Sequence, residues 1–128
     1  MDHQTLDSLL YDANKQIETL DFKSACKLIN ESRTIIIDVR EESEVHYSGL
    51  IKHAIHIPRG VIEFKLKLDS MDNPVDIDDQ TNILIYCAAG YRSVLAAKAL
   101  KDMGFKNVFN MPGFADWVTN GGDVDSPS

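Results

Sequence analysis

Apolar positions along the chain follow two different periods. Phe22, Ala25, Cys26 and Ile29 fall at i, i+3, i+4 and i+7, one stripe of an amphipathic helix over residues 22–30, with Asp21 placed to cap it and Cys26 turned toward the core. Thr34-Ile35-Ile36-Ile37 then runs into Asp38-Val39-Arg40, a β-branched run of the kind buried on both faces of a parallel sheet. A second such run, residues 83–86, stops abruptly at Cys87, and shorter strands are predicted at 55–57, before Pro58, and at 107–109, before Asn110. Helical spacing returns over 60–68 and again over 93–103, where Leu95, Ala96, Ala99, Leu100 and Met103 form the buried face, Lys98 and Lys101 the wet one, and Gly104 the stop. Strand and helix alternate, which predicts an α/β fold: a parallel sheet with helices on both faces and functional groups in the loops at the carboxyl ends of the strands.

The pattern thins only at the ends. Residues 1–16 are polar with a helical scatter of Leu6, Leu9, Leu10 and Ala13, and read as an N-terminal helical extension. The central domain spans 17–122, and 123–128 read as a flexible tail. Asp69, Asp72, Asp76, Asp78 and Asp79 crowd one loop without the ordered alternation and glycine of a calcium site, so a solvated acidic loop is expected. At 128 residues the chain is one domain in size, and thirteen Lys plus Arg against twenty Asp plus Glu give a net charge of −7. That sign disfavours nucleic acid and anionic lipid as partners. No apolar run is long enough to span a membrane and the first residues lack a leader pattern, so a cytoplasmic protein is expected.

Two cysteines far apart, Cys26 and Cys87, write neither a disulfide framework nor a zinc cluster. Cys26, on an apolar helix face, is read as packing. Cys87 is different, because a strand end, a loop of small residues, an arginine and a helix start coincide in Cys87-Ala88-Ala89-Gly90-Tyr91-Arg92-Ser93. Small residues at 88–90 let the backbone curl so that several N–H groups converge on the sulfur as an anion nest, and the following helix adds its positive end. Arg92 brings a full positive charge to the rim. Together these favour thiolate over thiol.

With these residues in place, the chain resembles the rhodanese (thiosulfate sulfurtransferase) family in its single-domain form. The resemblance rests on IIIDVREESEV (35–45), GLIKHAIHIP (49–58), the loop YCAAGYRS (86–93) and NMPGFADW (110–117). It implies a central five-stranded parallel sheet flanked by helices and a cysteine persulfide intermediate on Cys87, with Ala88, Ala89, Gly90, Tyr91, Arg92 and Ser93 surrounding the outer sulfur and binding substrate. Asp38 and Arg40 match an Asp-x-Arg that braces neighbouring loops, and Trp117 matches an aromatic of the closing helix. The chain departs from the family at Gly49-Leu50-Ile51-Lys52-His53-Ala54, where Gly-His-Ile-x-Gly-Ala is common, so that a histidine and a glycine are replaced. Ala88 and Tyr91 also stand where many thiosulfate-using members carry a basic residue, so attraction for dianionic thiosulfate is expected to be weaker than usual.

The implied chemistry is two-step transfer of a sulfane sulfur from a small donor anion, thiosulfate or a persulfide or polysulfide, to cyanide or a thiol, with a sulfur-relay protein as a further candidate partner and no metal or organic cofactor required. Two rival readings stand beside it. A cysteine-type phosphatase shares the strand-loop-helix frame, but its loops hold five residues between Cys and Arg where 88–91 are four, and Tyr86 stands where the tyrosine phosphatases usually have His. A partner-dependent relay or binding module would use the uncharged face of Ala88, Ala89 and Tyr91 for docking. His46, His53 and His56 have no enforced ligand spacing and read as surface or half-buried histidines. Arg59 either faces the pocket or merely starts a helix, and Tyr91 either stacks on substrate or shields the sulfur.

Overall fold

The structure, a computed structural model, describes residues 4–67 and 77–126. Its centre is a parallel sheet whose strands are β1 (Thr34–Asp38), β3 (Ile55–His56), β4 (Asn82–Tyr86) and β5 (Val108–Asn110), in the order β3-β1-β4-β5. The fifth position of the expected five-stranded sheet is reduced to a single parallel bridge between Thr19 and Asn110, flanked by backbone bonds from Leu20 N–H to the Asn110 carbonyl (2.9 Å) and from Asn110 N–H to the Glu18 carbonyl (3.0 Å).

Side chains alternate across this sheet with the period of two that any strand imposes, and both sides are dry. Ile37, Ile83 and Ile85 point to one face, where they join Ala13 and Ile17 from the N-terminal helix α1 (Leu6–Gln16) and its C-cap, Ile62 of α4 (Ile62–Lys65), and Val94, Ala97 and Leu100 of α5 (Tyr91–Asp102). Ile36, Leu84 and Tyr86 point to the other, against Ala25 of α2 (Phe22–Glu31) and Trp117 of α6 (Phe114–Thr119). The unbroken apolar runs of β1 and β4 exist because each must fill two cores.

Asp21 caps α2 as expected, accepting from the Ser24 N–H at 2.8 Å. Several boundaries differ. The helix expected from 93 starts at Tyr91, because Gly90 adopts φ +92° and turns the chain directly into α5. The helix expected over 60–68 is a 3₁₀ turn, Arg59–Val61, leading into the four-residue α4, and its last residue, with Asp69, Asp72 and Asp76 of the acidic loop, lies outside the described residues. α3 (Glu42–Ser48) was not visible in the apolar pattern because none of its residues is buried; it is held by a capping box between Glu41 and Glu44. α1 is no loose extension, since Ala13 is fully buried and α1 packs along α5. Nor is the segment after 122 wholly free. β6 (Val124–Asp125) pairs antiparallel with β2 (Leu50–Ile51), and the Asp123 carbonyl accepts from Lys52 N–H (3.0 Å) and Trp117 Nε1 (2.9 Å). Apart from the Trp117 bond these are backbone contacts, which need no apolar side chains.

One buried network ties the sheet to its loops. Asp38 is fully buried and Arg40 is 4% exposed. The guanidinium donates through Nε and Nη2 to the carboxylate (2.9 and 2.7 Å to Oδ2), through Nη2 to the Gly49 carbonyl (2.7 Å) and through Nη1 to Ser48 Oγ (2.7 Å), while lying 4.3 Å over the Phe114 ring. The Tyr86 hydroxyl accepts from Ile51 N–H (3.0 Å), and burial beside the Asp38 carboxylate pushes its ionisation far above the ordinary phenol value. Arg40→Met takes the guanidinium away from the fully buried Asp38, and is expected to cost about 3–5 kcal/mol in urea unfolding. A loss below about 1 kcal/mol, the scale of an exposed ion pair, would show that the network contributes little to stability.

Candidate functional site

Cys87 follows β4 directly and keeps the parity of Ile83 and Ile85, so its side chain enters the α1/α5 face at the carboxyl edge of the sheet, only 1% exposed. Burial in that position works against an anion. Two kinds of donor, backbone N–H and hydroxyl, work for it. Gly90 N–H reaches the sulfur at 3.1 Å, Ser93 Oγ lies 3.3 Å away, and the backbone N–H groups of Ser93 and Ala89 add to them at the start of α5. Against the desolvation that raises it, these hydrogen bonds bring the Cys87 thiol below its ordinary value.

The loop is fixed from behind. Phe114 N–H bonds the Cys87 carbonyl at 2.9 Å, and Gly113, at φ +138°, lies so close beneath that a Cβ there would run into the Ala88 carbonyl. Asn110 Nδ2 donates to the Gly90 carbonyl (3.3 Å) and to Thr19 Oγ1 (3.2 Å), while its Oδ1 is buried with no hydrogen-bond partner among the described residues. Asn110 was read from the sequence as the residue after a strand and the first of NMPGFADW; its place behind Gly90 follows from the pairing of β4 with β5.

The residues predicted for the site are therefore brought together, but unequally. Cys87, Gly90 and Ser93 are buried as one unit, whereas Ala88, Ala89 and Tyr91 are exposed at the surface, Tyr91 at 64%. Arg92, expected to serve the sulfur, has two partners: Nη1 bonds both carboxylate oxygens of Glu44, at 3.0 and 3.1 Å, and the Cys87 sulfur also holds its charge through a side-chain hydrogen bond. Glu44 is a site neighbour that the sequence pattern did not single out, and the Glu41-x-x-Glu44 capping signal was the only trace of it.

Beside the loop opens a shallow cleft of about 290 Å³, lined by Arg40, Glu44, Tyr47, Ser48, Ala88, Phe114 and Ala115. Arg59 pairs with Glu63 at 2.9 Å. His56 Nε2 bonds the Arg40 carbonyl at 2.7 Å, and His53 occupies a turn at φ 70°. Among the described residues no cluster of three or more His, Cys, Asp or Glu is disposed to hold a metal ion. Cys26 is half-buried rather than enclosed. It lines a separate groove of about 360 Å³ with Phe22 and Trp117 that contains none of residues 87–93, and burial pushes its thiol upward.

The model of the rhodanese-like domain matches residues 21–120. The chain belongs to the rhodanese-like family. A Schizosaccharomyces pombe protein named "Putative thiosulfate sulfurtransferase, mitochondrial" is 31% identical over 80% of this chain and 79% of its own length. A tRNA uridine(34) hydroxylase of Prochlorococcus marinus (strain MIT 9515) is 31% identical over 81% of this chain, which spans only 33% of that protein. Among solved structures, a Rhodopseudomonas palustris protein of unknown function, described as "Possible Tyrosine Phosphatase", superposes with a TM-score of 0.86 at 32% identity over 98% of this chain and 97% of its own. Among the described residues no helix is long and apolar enough to cross a membrane.

The opposed shifts of the two thiols give a measurable signature. Thiolate ultraviolet absorbance followed against pH is expected to rise in two steps, one below and one above the ordinary thiol value of about 8.5. Cys87→Ser should remove the lower step and Cys26→Ala the upper, and Ser93→Ala should move the lower step upward by removing a donor. A lower step that survives in Cys87→Ser would show that the loop does not stabilise its thiolate.

Proposed function

We propose that the protein is a sulfurtransferase that carries a sulfane sulfur on Cys87 as a persulfide. The observation that carries this reading is the pairing of Gly90 N–H and Ser93 Oγ on one buried sulfur, at 3.1 and 3.3 Å, at the head of α5. In the first half-reaction the Cys87 thiolate attacks the outer sulfur of the donor. The Sγ–S bond forms, the donor's own bond to that sulfur breaks, and the leaving group departs with the electron pair, as sulfite when the donor is thiosulfate. The amides of residues 89, 90 and 93 then face a persulfide anion in place of a thiolate. In the second half-reaction cyanide or a thiolate attacks the outer sulfur, and Cys87 leaves as a thiolate again. Charge and electrons balance in both halves, so no redox partner or cofactor enters.

Membership of the rhodanese-like family and the sulfurtransferase name of the yeast relative support this reading. A partner-dependent relay is the second reading, favoured by the shallow cleft, which the exposed Tyr47 lines, and by the exposed Tyr91 of the loop. A phosphatase is disfavoured by the four residues between Cys87 and Arg92 and by an arginine already bound to a carboxylate. The tRNA reaction of the hydroxylases is not carried over, since the match covers a third of their length and this chain bears a net charge of −7.

Intact mass before and after exposure to thiosulfate, a polysulfide or a small persulfide tests the proposal, with Cys87→Ser alongside. The expected result is a gain of one sulfur on the wild type only, removed again by cyanide. A gain that persists in Cys87→Ser, or no gain from any of the three donors, would overturn it.

A further inference from the structure

The charges at the mouth of the site are paired with one another. Arg92 is the only basic residue of the loop, and its Nη1 is gripped by both oxygens of Glu44. Glu44 is itself held in place, because Oε2 also accepts the Glu41 N–H at 3.3 Å in the capping box that starts α3. The other arginines at this edge are committed as well, Arg40 to the buried Asp38 and Arg59 to Glu63. Glu41 and Glu42 stand exposed on the same helix end, and beyond Arg40 and Glu44 the cleft is lined by uncharged residues, Tyr47, Ser48, Ala88, Phe114 and Ala115. A dianion approaching Cys87 therefore meets a net negative rim around an already compensated cation.

Resting on the sulfur-transfer reading above, we infer that Glu44 is a specificity-determining residue that masks the Arg92 charge. It thereby selects, as sulfur donor, the persulfide of a small thiol carrying at most one net negative charge over a dianion such as thiosulfate. The step is the same displacement: the Cys87 thiolate attacks the outer sulfur of R–S–SH, the Sγ–S bond forms, the S–S bond of the donor breaks, and R–S⁻ leaves with the electron pair while the proton stays on the transferred sulfur. The leaving thiolate needs no cation of its own, unlike departing sulfite, which carries two charges.

The test compares rates of sulfur loading on Cys87, read by intact mass, with thiosulfate and with cysteamine persulfide, whose ammonium offsets its persulfide charge. In Glu44→Gln, which keeps a hydrogen-bond acceptor for Arg92, the ratio of the thiosulfate rate to the cysteamine persulfide rate is expected to rise about tenfold at low salt, whereas Glu42→Gln, removing one charge from the same helix outside the ion pair, should change it less than about twofold. In the unmutated protein thiosulfate loading should speed up as salt is added, since screening relieves repulsion. This second measurement needs no variant to fold. An unchanged ratio in Glu44→Gln with loading intact, an equal rise in Glu42→Gln, or a wild-type thiosulfate rate that falls with salt would overturn the role of Glu44 while leaving Cys87 as a sulfur carrier. Failure of both donors to load the wild type would overturn the carrier reading together with it.

Discussion

Thr34 lies opposite Asn82 and Asp38 opposite Tyr86, so β1 and β4 end at the same level and the loops that leave them start from one edge of the sheet. That register is the constraint on which the site depends. A slip of β4 by one residue would send Ile83, Ile85 and Cys87 to the wrong face and bring Leu84 and Tyr86 out of their core, so two buried surfaces penalise it together. Because the register holds, Arg40 leaves β1 beside the loop that follows Cys87. Its guanidinium then spends its donors on Asp38, Ser48 and Gly49, fixing the start of β2 and the end of α3. Glu44, one turn before Ser48 on that helix, is thereby presented to Arg92.

The electrostatics of Cys87 follow from this placement. A sulfur 1% exposed loses nearly all solvation, and the obvious remedy, a nearby arginine, is largely used by Glu44. Neutral donors do the work instead: backbone N–H groups at the head of α5 and a serine hydroxyl. Such donors stabilise an anion without creating a general attraction for anions from solution. The site thus separates two properties that a free cation would join, a stabilised thiolate and recruitment of charged donors.

How much of this could be read from the chain depends on where each interaction sits in sequence. Cys87, Gly90 and Ser93 span seven consecutive residues at a strand-to-helix junction, so the loop, the helix that follows it and the small residues it needs were visible at once. β1 and β4 were visible because burial on both faces leaves no alternation to confuse with a helix. Glu44 was not, because it lies 48 residues from Arg92 and on a helix with no buried residue, where periodicity carries no signal. The pairing of β6 with β2 escaped for a related reason: both strands are two residues long and join through backbone groups, which every sequence possesses. Residues 1–16 read as an extension because only Ala13 and Leu10 mark their inner face, too few to reveal a helix laid along α5.

That helix bears on the site through its C-terminal connection. The chain leaves α1 at Ile17 in the core and crosses beside β5 at Glu18, Thr19 and Leu20, where Asn110 receives it through two backbone bonds and one side-chain bond. The same Asn110 amide bonds the Gly90 carbonyl, which also accepts the Val94 N–H that opens the hydrogen-bond ladder of α5. Gly90 is thus fixed on both sides of one residue, its N–H on the sulfur and its carbonyl on Asn110. Fixing it is worthwhile because a left-handed glycine is the freest residue in the loop and loses the most entropy when ordered. Residues 4–20, polar and unremarkable in pattern, thus meet the site through Asn110, which holds Gly90 in place before any donor arrives.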